Sequence, residues 1–391
     1  MDDRNGRGAM NVLSVSFTAQ PGGIDRVIRV WLEHSWNLGF RSHAIVRDVP
    51  GMLELQDPRA EEQITRVAVK GKIVGVRNEI ANFIAVERLV QKQSWACINP
   101  HDPYAYFHLA RSCIGRSTSL QVVPTVHQLL GRTAGIRKVR LILALAQRFV
   151  FWRSKRIIAV SKGRAAELEA LGIPREKIRV VYNGVPLPEN VEPAEEREIW
   201  RKVNDIPSRA FVVGFAGRLS GEKGIARLLE AFHLARQQSK DNLILAVAGQ
   251  GPEEDKVRSL VSMLCLSANV RLLGHVSNMR GFYNGIDLFC LLSDDEGISM
   301  AILEAMSYGL PVLATAVGGT PEVVEHGVCG WLTDRNRIED ACRVIQNCVE
   351  DRALVKRCGD AGLARLKATF SVEAFVRKTG EVFREVEGIR S

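Results

Sequence analysis

The stretch Ile286–Thr315, "IDLFCLLSDDEGISMAILEAMSYGLPVLAT", reads as one strand, turn, helix, strand unit. Ile286–Leu292 is an apolar run of strand length, and "SDDEGIS" is a polar turn. Ser299 is placed to cap a helix from Met300 to Tyr308, which Gly309 and Pro311 end. "PVLAT" then supplies a second buried strand. Apolar strands joined through helices predict a parallel sheet.

The same alternation extends in both directions. Upstream lie "FVVGFAG" from Phe211, a helix from about Ala226, "LILAVAG", a helix across 253–266 and "VRLLG". The stretch 183–198, "NGVPLPENVEPAEERE", concentrates Pro, Asn, Gly and acids and reads as a linker. Before it come "NVLSVSF", the glycine break "QPGGIDR" with a helical pattern from Ile24 to Trp36, then "HAIVRDV", "SWACI", "QVVPTV", "RIIAV" and "IRVVY". The expected fold class is therefore α/β, with two Rossmann-like doubly wound domains facing across a cleft, 1–185 and 186–370. In such sheets ligands gather at the carboxyl ends of the strands. From Ser371 to Ser391 the chain is amphipathic, with Phe375, Val376, Val382, Phe383 and Val386 available for one broad face.

Composition narrows the class. With 391 residues, 46% apolar and 25% charged, the chain is globular and long enough for two cores. Its longest apolar runs, such as "LILALA" at 141–146, fall far short of the ~20 residues a membrane span needs. The polar start "MDDRNGRGAM" is not a secretory signal, which points to the cytoplasm. Eight cysteines without a C-x-x-C pair read as buried reduced thiols. Between Pro103 and Ala166 there are twelve basic residues and no acid; that window carries +12, so the remaining chain is net −3 against the total of +9. Within it, "GIRKVRLILALAQRFVFWRSKR" interleaves apolar and cationic residues. Two readings stand: a face that lies on an anionic membrane surface, or a core helix with a solvated basic side. Nothing resembles an RNP-type aromatic pattern, so nucleic acid is not an expected partner.

Three segments carry candidate chemistry. "FAGRLSGEKGI" puts Gly217, Arg218 and Lys223 between a buried strand and a helix, where backbone amides and the helix dipole favour a phosphate; an ordinary solvated loop is the alternative. "AVAGQGPEED" places Gly249 and Gly251 directly after a strand, where they would let a ligand approach the backbone. The dinucleotide and Walker fingerprints are both lacking. Glu296 and Glu304, eight positions apart, fall before and within one helix, with the amides of Gly297, Ile298 and Ser299 between them. Carboxylates accept the hydrogen bonds that sugar hydroxyls donate. "SDD" at 293–295 is either a solvated turn or a metal-binding Asp pair.

In order and spacing these residues resemble glycosyltransferase family 4, the retaining enzymes of GT-B fold. The resemblance rests on "PGGIDR", "PTVHQ", "AVSKG", "VVYNGV", "GRLSGEKG", "AGQGPEED", "VRLLGHV", "DDEGISMAILEAMSYGLPVLAT" and "VGGTPEVVEHGVCGWL", and it runs through nearly the whole chain. It implies a final helix that crosses back to the first domain. It implies a UDP-, GDP- or ADP-sugar donor, no cofactor, and an acceptor that is a glycan or lipid-linked intermediate of exopolysaccharide or lipopolysaccharide assembly at the inner face of the cytoplasmic membrane. It also implies no metal, which makes "SDD" at 293–295 the solvated turn. Arg218 and Lys223 would bind the diphosphate, Glu304 the ribose and Glu296 the transferred sugar, with Gly249, Gly251, His275 and Val276 among the donor contacts. Gly22 and Gly23 would let a loop close over the phosphates, and His127 would lie by the sugar's reactive face. Two departures stand out: His127 is followed by Gln128 where the family often has Asp, and "EGIS" replaces a frequent Glu-Gly-Phe sequence. A non-catalytic nucleotide-sugar-binding subunit is the competing function.

Overall fold

The computed structural model describes residues 9–18, 22–53, 55, 61–68, 76–92, 94–114, 121–129, 137–188, 193–239 and 242–388. The first eight residues, Pro21, part of the linker stretch, and Arg116 and Arg132 of the basic window lie outside them. The chain divides into two compact units, one comprising residues up to Gly184 and again from Val372, the other Val185–Ser371.

In the first unit, β1 (Met10–Val15), β2 (Phe40–Asp48), β3 (Ile64–Ala68) and β4 (Cys97–Pro100) form a parallel sheet in the order β3-β2-β1-β4. β5 (Thr125–Val126), β6 (Ile157–Ala159) and β7 (Ile178–Val180) follow in sequence order. The parallel bridge Ile98↔Val122 and the bonds Ile98 N–H to Gln121 O (2.8 Å) and Val123 N–H to Ile98 O (2.9 Å) connect the two sets. β1 is buried along Val12–Val15 irrespective of the face its residues point to, as a sheet covered by helices on both sides requires. The helix Gly23–His34 buries Val27, Ile28, Val30, Trp31 and Leu32. The final helix, Val372–Glu387, buries Phe375, Val376, Val382, Phe383 and Val386. Phe383 stands edge-on to Trp31, ring centroids 5.2 Å apart, and Trp31 edge-on to Phe40, also at 5.2 Å.

The second unit holds one six-stranded parallel sheet, β10-β9-β8-β11-β12-β13, made of β8 (Phe211–Ala216), β9 (Leu243–Ala248), β10 (Val270–Gly274), β11 (Leu288–Leu291), β12 (Val312–Thr315) and β13 (Gly330–Thr333). Every residue of β8, β9, β11 and β12 is buried, which explains their unbroken apolar sequences. Both sheets start in the middle and reverse direction once, between β1 and β4 and between β8 and β11. This is the doubly wound α/β architecture expected from the alternation of strands and helices.

Two local expectations need correction. The stretch that reads as linker is helical from Pro193 on, with Glu195 and Glu196 in the first turn, where carboxylates oppose the positive end of the helix dipole. Among the described cysteines Cys265 is exposed, while Cys97, Cys290, Cys329, Cys342, Cys348 and Cys358 are buried free thiols. Burial pushes the Cys348 thiol up to about 12. No described helix is long and apolar enough to cross a membrane.

Candidate active site

The loops leaving β8 and β11 meet because the strands are neighbours, Phe289 lying opposite Gly214. After β8 the chain makes a short 3-10 turn, Gly221–Lys223, and Gly224 takes a left-handed conformation (φ 67°) before the helix Ile225–Gln238. A Cβ on Gly224 would strike the Leu292 carbonyl, so the residue type is fixed by contact with the end of β11 as well as by its angle. Across that contact Asp294 N–H donates to Glu222 O (2.7 Å), and the Arg227 guanidinium reaches Leu292 O (2.8 Å) and Asp294 (2.7 Å).

Lys223 is thereby carried to Glu296. Its Nζ lies 2.8 Å from Glu296 Oε1, which also accepts from the Ser293 hydroxyl at 2.7 Å. Glu296 is 6% exposed. Its backbone is held too: Gly319 N–H donates to Glu296 O (3.0 Å), and Gly318 (φ 52°) leaves no room for a Cβ beside that oxygen. Ser293 is fully buried, and its carbonyl accepts from the Thr315 hydroxyl (2.5 Å). Within 293–295 Ser293 is thus a packed support of Glu296, while Asp294 and Asp295 stay partly exposed, as the turn reading has it.

The other anticipated donor residues are spread along the same end of the sheet. Arg218 is exposed and pairs with Glu222 at 2.9 Å. Ser299 stands at the N-terminus of the helix Met300–Ser307 without a side-chain cap bond, and Gly297 and Ile298 directly precede it at the positive end of its dipole. Glu304, half-buried on that helix, accepts from the Tyr283 hydroxyl (2.8 Å), and Tyr283 stacks on Tyr308. Gly249 (φ 145°) and Gly251 would clash through a Cβ with the backbone of Gly217 and Leu219, respectively. Neighbouring loop backbone already requires glycine at both positions. His275 and Val276 follow β10, two strands away from β8.

The first unit gathers a second group of polar residues at the corresponding ends of β1, β4 and β5. Asp102 Oδ2 accepts from Phe17 N–H (2.6 Å), while Oδ1 accepts from Tyr104 N–H (2.9 Å) and Ala105 N–H (3.1 Å), capping the helix Pro103–Ile114. Asp25 accepts from Gly22 N–H at 2.6 Å. Burial raises the Asp25 carboxyl to about 7, with the nearby Asp102 charge adding to the rise. A Cβ on Gly22 would meet nothing within 4 Å among the described residues, so none of them fixes that glycine. His127, following β5, has its Nε2 3.0 Å from His101 Nδ1, and the two rings stack. Burial, then the Arg164 charge, lowers His127 to about 3; burial, then His127, holds His101 well below the ordinary range. Gln128 is exposed, and the orienting partner of His127 is an imidazole.

His101, Asp25, Asp102, Tyr283 and Ser293 escape the sequence reading. "HDP" at 101–103 holds the one usable signal, an Asp before Pro at a helix start.

A family model described as Glycosyltransferase Family 4 matches residues 21–188, and one described as Glycosyl transferases group 1 matches residues 196–365. A capsular polysaccharide biosynthesis glycosyltransferase of Staphylococcus aureus is 25% identical over 235 residues, 59% of this chain and 61% of its own length. The N-acetyl-alpha-D-glucosaminyl L-malate synthase of Bacillus anthracis is 26% identical over 291 residues, 73% of this chain and 72% of its own. The alignment with the first of these thus spans less than two thirds of that relative. Among solved structures, Anabaena HepE in complex with UDP and glucose superimposes with a TM-score of 0.81 at 22% identity, covering 96% of this chain and all of that one. With one model matching almost wholly in the first unit, the other within the second, and both together taking in most of the sequence, the chain belongs to the group 1, family 4 glycosyltransferases and has their GT-B fold.

Proposed function

We propose that this protein is a retaining transferase that moves a sugar from a nucleoside-diphosphate sugar to an acceptor of cell-surface glycan assembly. The observation that carries the reading is the Lys223–Glu296 pair, 2.8 Å apart at the point where the second sheet reverses, a place where α/β sheets bind ligands. An ammonium suits a diphosphate and a carboxylate suits sugar hydroxyls. Donor binding then replaces one ion pair by two ligand contacts, with Arg218 as a second cation and the amides of Gly297, Ile298 and Ser299 beside the sugar. Glu304 takes the ribose, exchanging its bond from Tyr283. Gly249, Gly251, His275 and Val276 complete the donor set, and Gly22, Gly23 and His127 serve from the first unit.

Breaking the bond between the anomeric carbon and phosphate leaves an oxocarbenium-like carbon and a negatively charged leaving group. Fixed cations aimed at that charge contribute on the order of a few kcal/mol each in the transition state. The departing phosphate oxygen accepts the acceptor's proton on the same face, so configuration is retained without an enzyme nucleophile. Replacing Arg218 and Lys223 together with Ala is expected to abolish transfer while the circular dichroism spectrum stays unchanged; undiminished turnover rejects the assignment. Thermal shifts with UDP-, GDP- and ADP-sugars identify the base, since a ligand bound to the native state raises its stability. Donor binding without transfer to any acceptor in membrane extracts marks the alternative, a non-catalytic binding subunit.

The membrane reading of the basic region gains from the helix Arg137–Arg153. Leu143, Ala146, Val150 and Phe151 are buried, yet the opposite side exposes Leu141, Ile142, Leu145 and Trp152 beside Arg148 and Arg153. Four large apolar side chains grouped on one basic face support the membrane reading over a solvated basic side. Co-sedimentation with anionic vesicles, weakening steeply with salt, is the expected result; no binding at low salt rejects it.

A further inference from the structure

Three buried polar side chains of the first unit border one small cavity. Trp31 comes from the helix Gly23–His34, His101 from the residue after β4, and Thr379 from the final helix. They are 3%, 5% and 4% exposed. Trp31 Nε1, His101 Nε2 and Thr379 Oγ1 have no hydrogen-bond partner among the described residues. The cavity they line, with Asn183 on another side, leaves about 10 Å³ for the centre of a water-sized sphere, which matches the room a single water needs. Native interiors satisfy such groups with ordered water.

We propose that this cavity holds one structural water, and that the water fixes the proton on His101 and, through it, on His127. The consequence for transfer rests on the reading of His127 as a residue of the active site. The indole of Trp31 can only donate, so one lone pair of the water is taken. The Thr379 hydroxyl proton needs an acceptor and takes the other lone pair. Both water hydrogens are then left to donate, one of them to His101 Nε2. That requires His101 to carry its proton on Nδ1, from which it donates to His127 Nε2 across the 3.0 Å contact. Reversing the chain, with His101 Nε2–H donating to the water, fills both lone pairs of the water and leaves the threonine proton without an acceptor, since Thr379 Oγ1 makes no bond to Asn183 across the cavity. The rings are neutral, as this counting requires, because burial disfavours the imidazolium of both.

His127 is thereby left with its proton on Nδ1. Towards a ligand it offers an N–H donor and no basic lone pair, so it hydrogen-bonds a sugar oxygen and does not deprotonate the acceptor. Thr379 and His101 are positioning residues in this scheme. The chain's last helix sets the hydrogen-bonding character of a histidine that lies far away in sequence.

The test is long-range proton–nitrogen NMR of the full-length protein labelled with ¹⁵N-histidine, with His101→Gln and His127→Gln used for assignment. Both rings are expected as the Nδ1–H tautomer; an Nε2–H signal at His127 overturns the proposal. Thr379→Val, similar in shape but without the hydroxyl, is expected to shift both sets of nitrogens and to lower kcat roughly ten- to a hundredfold. Donor Kd should not change, and Thr379→Ser should restore most of the rate. Unshifted nitrogens in a folded Thr379→Val variant also overturn it, and the wild-type tautomer decides the matter should that variant fail to fold. An Nδ1–H tautomer together with full activity of His127→Ala would leave the water site standing and remove His127 from the reaction.

Discussion

At the level of single residues, Glu296 shows how a charged group is kept inside the protein. Lys223 and Ser293 both converge on Oε1, and the carboxylate is almost wholly buried. Removing Lys223 leaves that charge under-compensated, a loss larger than removing the pair. Lys223→Ala is therefore expected to be less stable than the Lys223→Ala, Glu296→Gln double variant, by about 1–3 kcal/mol in urea unfolding. A double variant no more stable than the single one contradicts this account. Asp25 behaves differently, since its carboxyl rises from 3.8 to about 7. Between roughly pH 4 and 7 the folded state keeps a proton that the unfolded chain has released, so this contribution to stability falls as pH rises and levels off above 7. His127, lowered to about 3, contributes with opposite sign: below pH 6.5 the unfolded chain takes up a proton that the folded ring refuses, so stability is lost as pH falls through that window. The stability difference between wild type and Asp25→Asn should thus decline from pH 4 to 7, and a flat difference would show that the folded and unfolded carboxyls titrate alike.

Among the elements, the connections after the strands decide the site, and glycines decide the connections. Gly309 and Gly318 both have positive φ, at 68° and 52°. A Cβ on Gly309 meets nothing, whereas one on Gly318 runs into the Glu296 carbonyl. Both substitutions to Ala carry backbone strain of about 1 kcal/mol or more. Only Gly318→Ala should also displace Glu296 and weaken donor binding, which calorimetry with the matching nucleotide sugar would reveal; equal affinities for the two variants would refute the distinction. Gly309 was legible from sequence because it simply ends a helix. The contact that requires Gly318 was not, because its partner sits 22 residues earlier on another strand connection. The strands were legible for a related reason: runs such as "LILAVA" record burial on both faces wherever the neighbours lie. The pairing of His101 with His127 and the packing of Gly249 against Gly217 depend on which strands become adjacent. Periodicity carries no such information.

On the scale of the whole molecule, the second unit is entered and left at one place, since Val185 N–H donates to Phe370 O (3.2 Å) and Val185 bridges Ser371. It is in effect a closed insertion in the first, which needs the chain's last helix to complete its core. Phe383 is fully buried there against Trp31 and Phe40, and Gly380 lets the helix approach closely, because a Cβ would come within 2.8 Å of the Phe40 ring. Truncating a buried phenylalanine to alanine typically costs about 3–5 kcal/mol, a large share of the ~5–15 kcal/mol that stabilises a domain. The loss should stay within the unit whose core it opens. For Phe383→Ala, hydrogen exchange followed by mass spectrometry is expected to show faster exchange in peptides from β1, β2 and the helix Gly23–His34. Peptides from β8, β9 and β11 should retain wild-type protection. Equal deprotection of both sets would mean that the units unfold as one cooperative block, and the closed-insertion view of Val185–Ser371 would then fail.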